Sequence, residues 1–176
     1  MHPSSIENMI KAKSHARYIY DLPEAKVIDI GGLHDVPHKS YLRLFEDHPS
    51  IQWTVADIVE HPSVDVVMPG PYTLPFPNDS FDLVVSGQML EHCRNPFRSV
   101  AEMTRVLRPG CMVIIIAPSE GPRHDLVDCW RFLEDAFVSI AEETGLEVIA
   151  DWIDRSAPDA RSRQWADHVF VGRKPI

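Results

Sequence analysis

The sequence predicts a single α/β domain built on a mostly parallel sheet, and three observations carry that prediction. Phe81–Val85 (FDLVV) and Val113–Ala117 (VIIIA) are short continuous apolar runs bounded by turn residues, as strands buried on both faces are. Between them, Val100, Met103, Thr104, Val106 and Leu107 recur at helical spacing. That helix starts at Asn95-Pro96, a capping residue followed by a proline at the first helical position, where the missing N–H costs nothing. Strand, helix and strand in this order form a right-handed crossover, which makes the two strands parallel. The third observation is Lys26–Ile30 (KVIDI), a further strand ending in Gly31-Gly32, where the backbone turns sharply and approaches a ligand closely. Ligands of such sheets bind beyond the carboxyl ends of the strands. The functional rim is therefore expected at Ser86–His92 and Pro118–Asp128.

The other elements follow in order. Ser4–Tyr20 reads as a helix capped by Ser4 or Ser5, with Glu7 in its first turn and Ile6, Met9, Ile10 and Tyr18 on an apolar stripe. Ser40–Asp47 fits a helix that buries Tyr41, Leu42, Leu44 and Phe45. Gln52–Ala56 is the second strand, ending at Asp57, and Val64–Met68 the third. Pro109-Gly110 is expected to stop the crossover helix. Glu134–Thr144 reads as a helix with Phe137, Ile140 and Ala141 facing in and Gly145 closing its end. Leu146–Ile153 is a sixth strand, Arg155–Gln164 a polar loop containing Pro158, and Trp165–Gly172 a last strand.

Composition narrows the function classes. A chain of 176 residues, 44% hydrophobic, fits one domain with a real core. Its apolar runs fall well short of the roughly 20 residues of a membrane span, and the first residues lack the apolar segment of a signal peptide. A cytoplasmic protein without a membrane partner is the expectation. Cys93, Cys111 and Cys129 are odd in number and lack CxxC spacing, which fits free thiols in a reducing compartment. With 17 basic against 26 acidic residues the net charge is −9, which argues against nucleic acid as a partner.

One ordered set of segments resembles a known family. Leu74-Pro75-Phe76, then Phe81–Ser86, then Met89–His92, then a helix ending in Arg105–Gly110, then a strand ending in Ala117-Pro118 is similar to the class I, Rossmann-like S-adenosylmethionine (SAM)-dependent methyltransferases. The resemblance implies a seven-stranded sheet with helices on both faces and an antiparallel last strand between the fifth and sixth. It implies SAM as cofactor, S-adenosylhomocysteine (SAH) as product, and an N-terminal helix over the cofactor end. Asp29, Gly31 and Gly32 match the start of the family's glycine loop, while Leu33 and Asp35 stand where its later glycines would be. Asp57, followed by Ile58, would accept the ribose hydroxyls. Gly70 lies near the usual place of the acid that holds the adenine amino group, which leaves Tyr72 or the backbone around it for that contact. Ser86, Gln88 and Met89 would flank the methionine part. The run Pro118–Phe132 resembles a subgroup of small methyltransferases with an AP…H…DxWRF loop after the fifth strand, which puts Asp128, Trp130 and Arg131 on the substrate side.

Methyl transfer needs a nucleophile held in line with the methyl group and a group to take its proton. Histidine suits that task near neutral pH. His124 is the first candidate base, oriented by Asp125 or Asp128. His92 is the second, with a structural reading in which it bridges its loop to the next strand. Trp130 has a core reading beside the substrate one. A metal held by His124, Asp125 and Asp128 is weighed and not expected. The acceptor is expected to be a small molecule, such as a sugar or secondary metabolite, methylated on O or N and less readily on C. With no separate substrate domain expected, a lid would come from the N-terminal helix, the rim loops or a second subunit in a homodimer. Two other readings stay open. One is a SAM-fold protein that binds or regulates without catalysis, favoured by the missing glycines and adenine acid. The other is a dinucleotide oxidoreductase, disfavoured because the Leu33–Lys39 loop with Pro37 makes a poor phosphate cradle.

Overall fold

A computed structural model describes residues 3–34, 40–48, 50–156 and 163–176. Among them, seven strands form one sheet: β1 (Ala25–Ile30), β2 (Ile51–Asp57), β3 (Val66–Val67), β4 (Phe81–Gly87), β5 (Leu107–Pro118), β6 (Glu147–Asp154) and β7 (Asp167–Arg173). Their order is β3-β2-β1-β4-β5-β7-β6. The first five strands are parallel, and β7 runs antiparallel between β5 and β6. This is the mixed sheet expected from the sequence. The order reverses between β1 and β4, so the loops after these two strands diverge and leave a crevice between them.

Two apolar layers sandwich the sheet. Helices α2 (Pro96–Val106) and α3 (Ala136–Thr144) cover one face, where Val100, Met103, Phe137 and Ile140 meet Ile28, Val84, Val113 and Ile115. Asn95 caps α2 by accepting the Arg98 N–H, and Gly145 ends α3 with φ 73°. Helix α1 (Pro3–Lys13) and short 3-10 segments cover the other face, where Met9, Ala12, Ile19, Tyr41 and Phe45 meet Val27, Val85, Ile114 and Val169.

Five expectations are corrected here. The N-terminal helix ends at Lys13 and continues as a 3-10 helix, Ser14–Asp21, across a kink at Ala16. Ser4 and Ser5 lie within α1 rather than capping it. Ser4 Oγ donates to Asp167 Oδ2 at 3.0 Å, and Ser5 Oγ lies 2.6 Å from Tyr41 Oη. The helix expected over Ser40–Asp47 is a single 3-10 turn, Tyr41–Leu44, capped by Ser40. Lys13 takes the Leu44 carbonyl that a continuing helix would use, and the His48 N–H goes to Phe45 instead. Pro109-Gly110 lie within β5, because α2 closes one turn earlier and Leu107 already pairs with Phe81. Gly110 takes φ 79° and donates to the Lys174 carbonyl, and the β4–β5 register shifts between Phe81 and Leu83, as at a bulge. The third strand shortens to two residues.

Helix α1 is pinned at the rim. Asp167, which opposes Pro118 at the carboxyl end of β5, accepts from Ser4, from Asn8 at 3.4 Å and from Gln88 at 2.9 Å. Tyr41, held by Ser5, packs over Gly87 so closely that a Cβ there would lie 2.1 Å from its hydroxyl. Gly87→Ala is therefore expected to destabilise the fold by about 1–3 kcal/mol through overpacking, read as a lower urea midpoint.

Candidate active site

The crevice between β1 and β4 is built from two loops that touch. Gly31 takes φ 74° directly after β1 and donates to the Ala56 carbonyl at 2.8 Å. A Cβ on Gly31 would lie 2.2 Å from Met89 Cγ, so the glycine turn and the loop after β4 are in contact at Met89. A Cβ on Gly32 would lie 2.6 Å from the Asp29 carboxyl carbon. The Asp29 carboxyl thus sits directly beneath the turn.

Asp57 ends β2 beside this turn. Its Oδ2 accepts the Leu33 N–H at 3.4 Å and its Oδ1 the Val59 N–H at 3.1 Å. Asp29 is buried, and burial together with the nearby Asp57 charge pushes its pKa up to about 7. The two carboxyls therefore lie close enough to interact, with Asp29 desolvated beneath the turn and Asp57 partly exposed at the strand end. Ile58, next in sequence, is exposed at the same strand end.

Three of the expected cofactor contacts have other partners. The buried Ser86 Oγ donates to the Ile30 carbonyl at 2.8 Å, stitching β4 to the end of β1. Gln88 holds φ 58° and turns its amide to Asp167. Tyr72 Oη accepts the Asn95 N–H at 3.0 Å, and its ring lies under Arg98. Asp35 and Pro37 fall outside the described residues.

The loops after β4 and β5 are sewn together. The Cys129 N–H donates to the Glu91 carbonyl at 2.7 Å, and Trp130 Nε1 donates to the Cys93 carbonyl at 2.7 Å. His92 Nδ1 reaches the Val127 carbonyl at 2.6 Å. A carbonyl only accepts, so this Nδ1 carries a proton, and in the neutral imidazole the lone pair is then on Nε2. His92 bridges its loop to the one after β5, in line with its structural reading. Trp130 is not the core anchor considered for it, because it lies partly exposed with its N–H on Cys93; Phe132 is buried instead.

His124 is placed by Asp128 rather than by Asp125. Asp128 Oδ2 accepts the His124 backbone N–H at 2.9 Å and lies 2.9 Å from His124 Nδ1, an ion-pair contact. Arg131 grips the same carboxylate with two bonds, of 2.6 and 2.9 Å. The guanidinium holds the Asp128 carboxyl well below the usual carboxylate range. The Asp128 side chain is 1% exposed and that of His124 35%, so a buried anion presents a reachable imidazole. The Asp125 carboxylate instead accepts the Leu126 N–H within its own loop. Arg131 spends its other donors on the carbonyls of Gly121, Pro122 and Trp130. Asp128 and Arg131 therefore frame the loop after β5.

Sequence reasoning missed Glu91. It is 0% exposed, and neither carboxyl oxygen has a hydrogen-bond partner. Burial pushes its pKa up to about 7. An acid beside His92 in a rim loop was the available signal. Below about pH 4 both Glu91 and Asp29 are protonated whether folded or unfolded, so each contributes its full stability there. Between that pH and about 7 the folded protein binds more protons than the unfolded chain, and stability falls as pH rises. Glu91→Gln is expected to recover on the order of 2–3 kcal/mol at pH 8 and little at pH 4, read from denaturant melts at the two pH values.

A cleft of about 410 Å³ opens elsewhere, against the outer part of β2; it is lined by Trp53, Glu46 and Asp65 among others and by neither Asp57 nor His124. Among the described residues no helix is long and apolar enough to cross a membrane.

Comparison with known proteins bears on this geometry. Residues 46–115 match a family described as "Methyltransferase domain". A rice (Oryza sativa subsp. japonica) chloroplastic 2-methyl-6-phytyl-1,4-hydroquinone methyltransferase is 27% identical over 139 residues, which are 74% of this chain and 40% of that protein. A probable rice tocopherol O-methyltransferase is 34% identical over 48% of this chain and 29% of its own. The chain thus spans less than half the length of these curated relatives. Among solved structures, the Burkholderia thailandensis 1,6-didemethyltoxoflavin-N1-methyltransferase, with its acceptor and SAH bound, superposes at a TM-score of 0.70. It covers 98% of this chain and 80% of that one at 16% identity. A Haloferax volcanii methyltransferase in complex with its Trm112 activator gives 0.65, covering 99% and 95% at 18% identity. The chain carries a methyltransferase-domain match within the Rossmann-like fold of the class I methyltransferases.

Proposed function

We propose that the chain is a SAM-dependent methyltransferase that acts on a small-molecule acceptor, with oxygen and nitrogen ahead of carbon as the methylated atom. The observation that carries this reading is the meeting of Asp29, Gly31, Gly32 and Asp57 at the point where the strand order reverses. SAM fits that cradle. The turn has space only for glycines, Asp57 offers two acceptor oxygens at the strand end, and two carboxyls suit a ligand that carries a sulfonium and an ammonium. When bound, SAM supplies an activated methyl group. Asp57 would hold the ribose, and the glycine turn with Met89 would flank the methionine part. With Asp128 beside Nδ1, His124 would offer Nε2 to the acceptor proton. The methyltransferase relatives support the same chemistry. The compounds in their names are a 2-methyl-6-phytyl-1,4-hydroquinone, tocopherol and 1,6-didemethyltoxoflavin, consistent with a small cyclic or hydroxylated acceptor.

The test is calorimetric titration with SAM, SAH and NADH in turn. Micromolar binding of SAM and SAH, with none of NADH, is the expected result, and an acceptor screen on labelled SAM follows. SAM binding without turnover on any acceptor would favour the regulatory reading, and NADH binding without SAM would overturn the proposal.

A further inference from the structure

We propose that Glu91, His92 and His124 form a site for a divalent first-row transition-metal ion at the acceptor side of the crevice. Among the described residues, one ligating atom from each of these three lies within 4.8 Å of the others. The set considered from the sequence was His124, Asp125 and Asp128; the fold replaces both aspartates with residues from the loop after β4. Three further observations point to a ligand.

The first is Glu91. A carboxyl that is fully buried with both oxygens unpartnered is a costly arrangement, because each lost hydrogen bond leaves a desolvation penalty of about 1–3 kcal/mol. A bound cation supplies the missing partner. The second is the way the histidines are held. His92 Nδ1 is tied to the Val127 carbonyl, and His124 Nδ1 lies 2.9 Å from the Asp128 carboxylate. The bond leaves the lone pair of a neutral His92 on Nε2, and the carboxylate beside Nδ1 favours the same tautomer in His124. A backbone carbonyl or a carboxylate on the far nitrogen is how metal-ligating histidines are usually oriented. The third is spacing. His92 Nε2 lies 3.6 Å from Glu91 Oε1, close to the roughly 3.4 Å between two ligands that share a tetrahedral ion at about 2.1 Å each.

Two imidazoles and one carboxylate select the chemistry. This donor set suits Mn²⁺, Fe²⁺, Co²⁺ or Zn²⁺ better than Mg²⁺ or Ca²⁺, which prefer oxygen ligands. Three protein ligands leave coordination positions open, as in catalytic rather than structural sites. The consequence for the acceptor rests on the methyltransferase reading above. An ion beside the methyl donor lowers the pKa of a hydroxyl, which favours an oxygen acceptor over an amine. In the transfer, the acceptor hydroxyl loses its proton to solvent. Its oxygen then bonds to the methyl carbon as the carbon–sulfur bond breaks, and the sulfur keeps the electron pair. With an ion present, His124 acts as a ligand and the general base is no longer needed.

The full chain is treated with chelator, moved into metal-free buffer, and titrated with Mn²⁺ followed by electron paramagnetic resonance and with Co²⁺ followed by visible absorption. One ion per chain is expected. Glu91→Gln and His124→Asn should each weaken binding at least a hundredfold, and Asp128→Asn, acting through His124, about 10–100-fold. Circular dichroism melts establish that each variant is folded, and Glu91→Gln keeps the volume of the native side chain. SAH calorimetry on the same metal-free sample separates the two proposals. SAH binding with no stoichiometric Mn²⁺ or Co²⁺, or with ion binding unchanged in Glu91→Gln, overturns the metal site and leaves the methyltransferase reading intact. Ion binding lost in the variants supports the site whether or not SAH binds, and absence of SAH binding would remove only the inference about the acceptor.

Discussion

Replacing Asp57 by alanine is expected to weaken SAH and SAM binding by about 10²–10⁴-fold while leaving the chain folded. Two hydrogen bonds from ribose hydroxyls to a carboxylate are each worth about 1.5–3 kcal/mol, and both acceptors vanish together. The same change frees the Leu33 and Val59 N–H groups that Asp57 holds, so the loops on either side of the pocket lose a shared anchor. Folding should survive, because Asp57 is only half-buried at the end of a strand whose inner residues make the core contacts. Asp57→Asn separates the contributions. It keeps the shape and one good acceptor, so a loss of about tenfold is expected. It also removes the charge that helps raise the Asp29 pKa, which should move the pH-dependent loss of stability to lower pH. Calorimetry with SAH across the three proteins measures the first effect and denaturant melts between pH 5 and 8 the second. Undiminished SAH affinity in Asp57→Ala would place the nucleoside elsewhere and leave Asp57 with only the Leu33 and Val59 N–H groups to hold.

The parallel core was legible because its signals are local and strong. Continuous apolar runs such as Phe81–Val85 and Val113–Ala117 have no stable place except between two layers, and Asn95-Pro96 marks a helix start by its own hydrogen-bond chemistry. What was not legible depends on partners distant in sequence. Ser4 and Ser5 read as caps because hydroxyls near a helix start usually are; their partners, Asp167 and Tyr41, lie far along the chain. Pro109-Gly110 read as a helix stop, yet pairing of Leu107 with Phe81 had already turned the chain into a strand. At the site, residue types identified the rim but not the pairings across it. Asp125 and Asp128 were equal candidates to orient His124, and only the Arg131 fork buries one of them. Glu91 was overlooked because its distinction, a buried carboxyl without a partner, is a property of the folded environment.

His124→Ala is expected to lower kcat by about 10²–10⁴-fold with the acceptor found by screening, and to leave SAH affinity within about twofold of the native value. The asymmetry follows from position. His124 lies on the loop after β5 and contacts His92, Trp165 and Asp128, whereas the proposed cofactor cradle is made by residues after β1 and β2 together with Met89. Loss of the imidazole would therefore remove the group proposed to face the acceptor and nothing proposed to hold the nucleoside. Stability should change little, since a third of the side chain is already in water. Asp128→Asn is expected to behave differently. The buried carboxylate holds Arg131 and His124 at once, and an amide satisfies only part of that demand. Stability should fall by about 1–3 kcal/mol, and kcat should fall because the imidazole is no longer held in one tautomer. The native dyad should also resist acid, since the Asp128 carboxyl stays ionised well below the usual carboxylate range and its contribution to stability is lost only as pH falls through that lowered value. A His124→Ala enzyme with unchanged kcat would show that neither a base nor a ligand is needed at this position, and would confine catalysis to alignment of the acceptor with the methyl group.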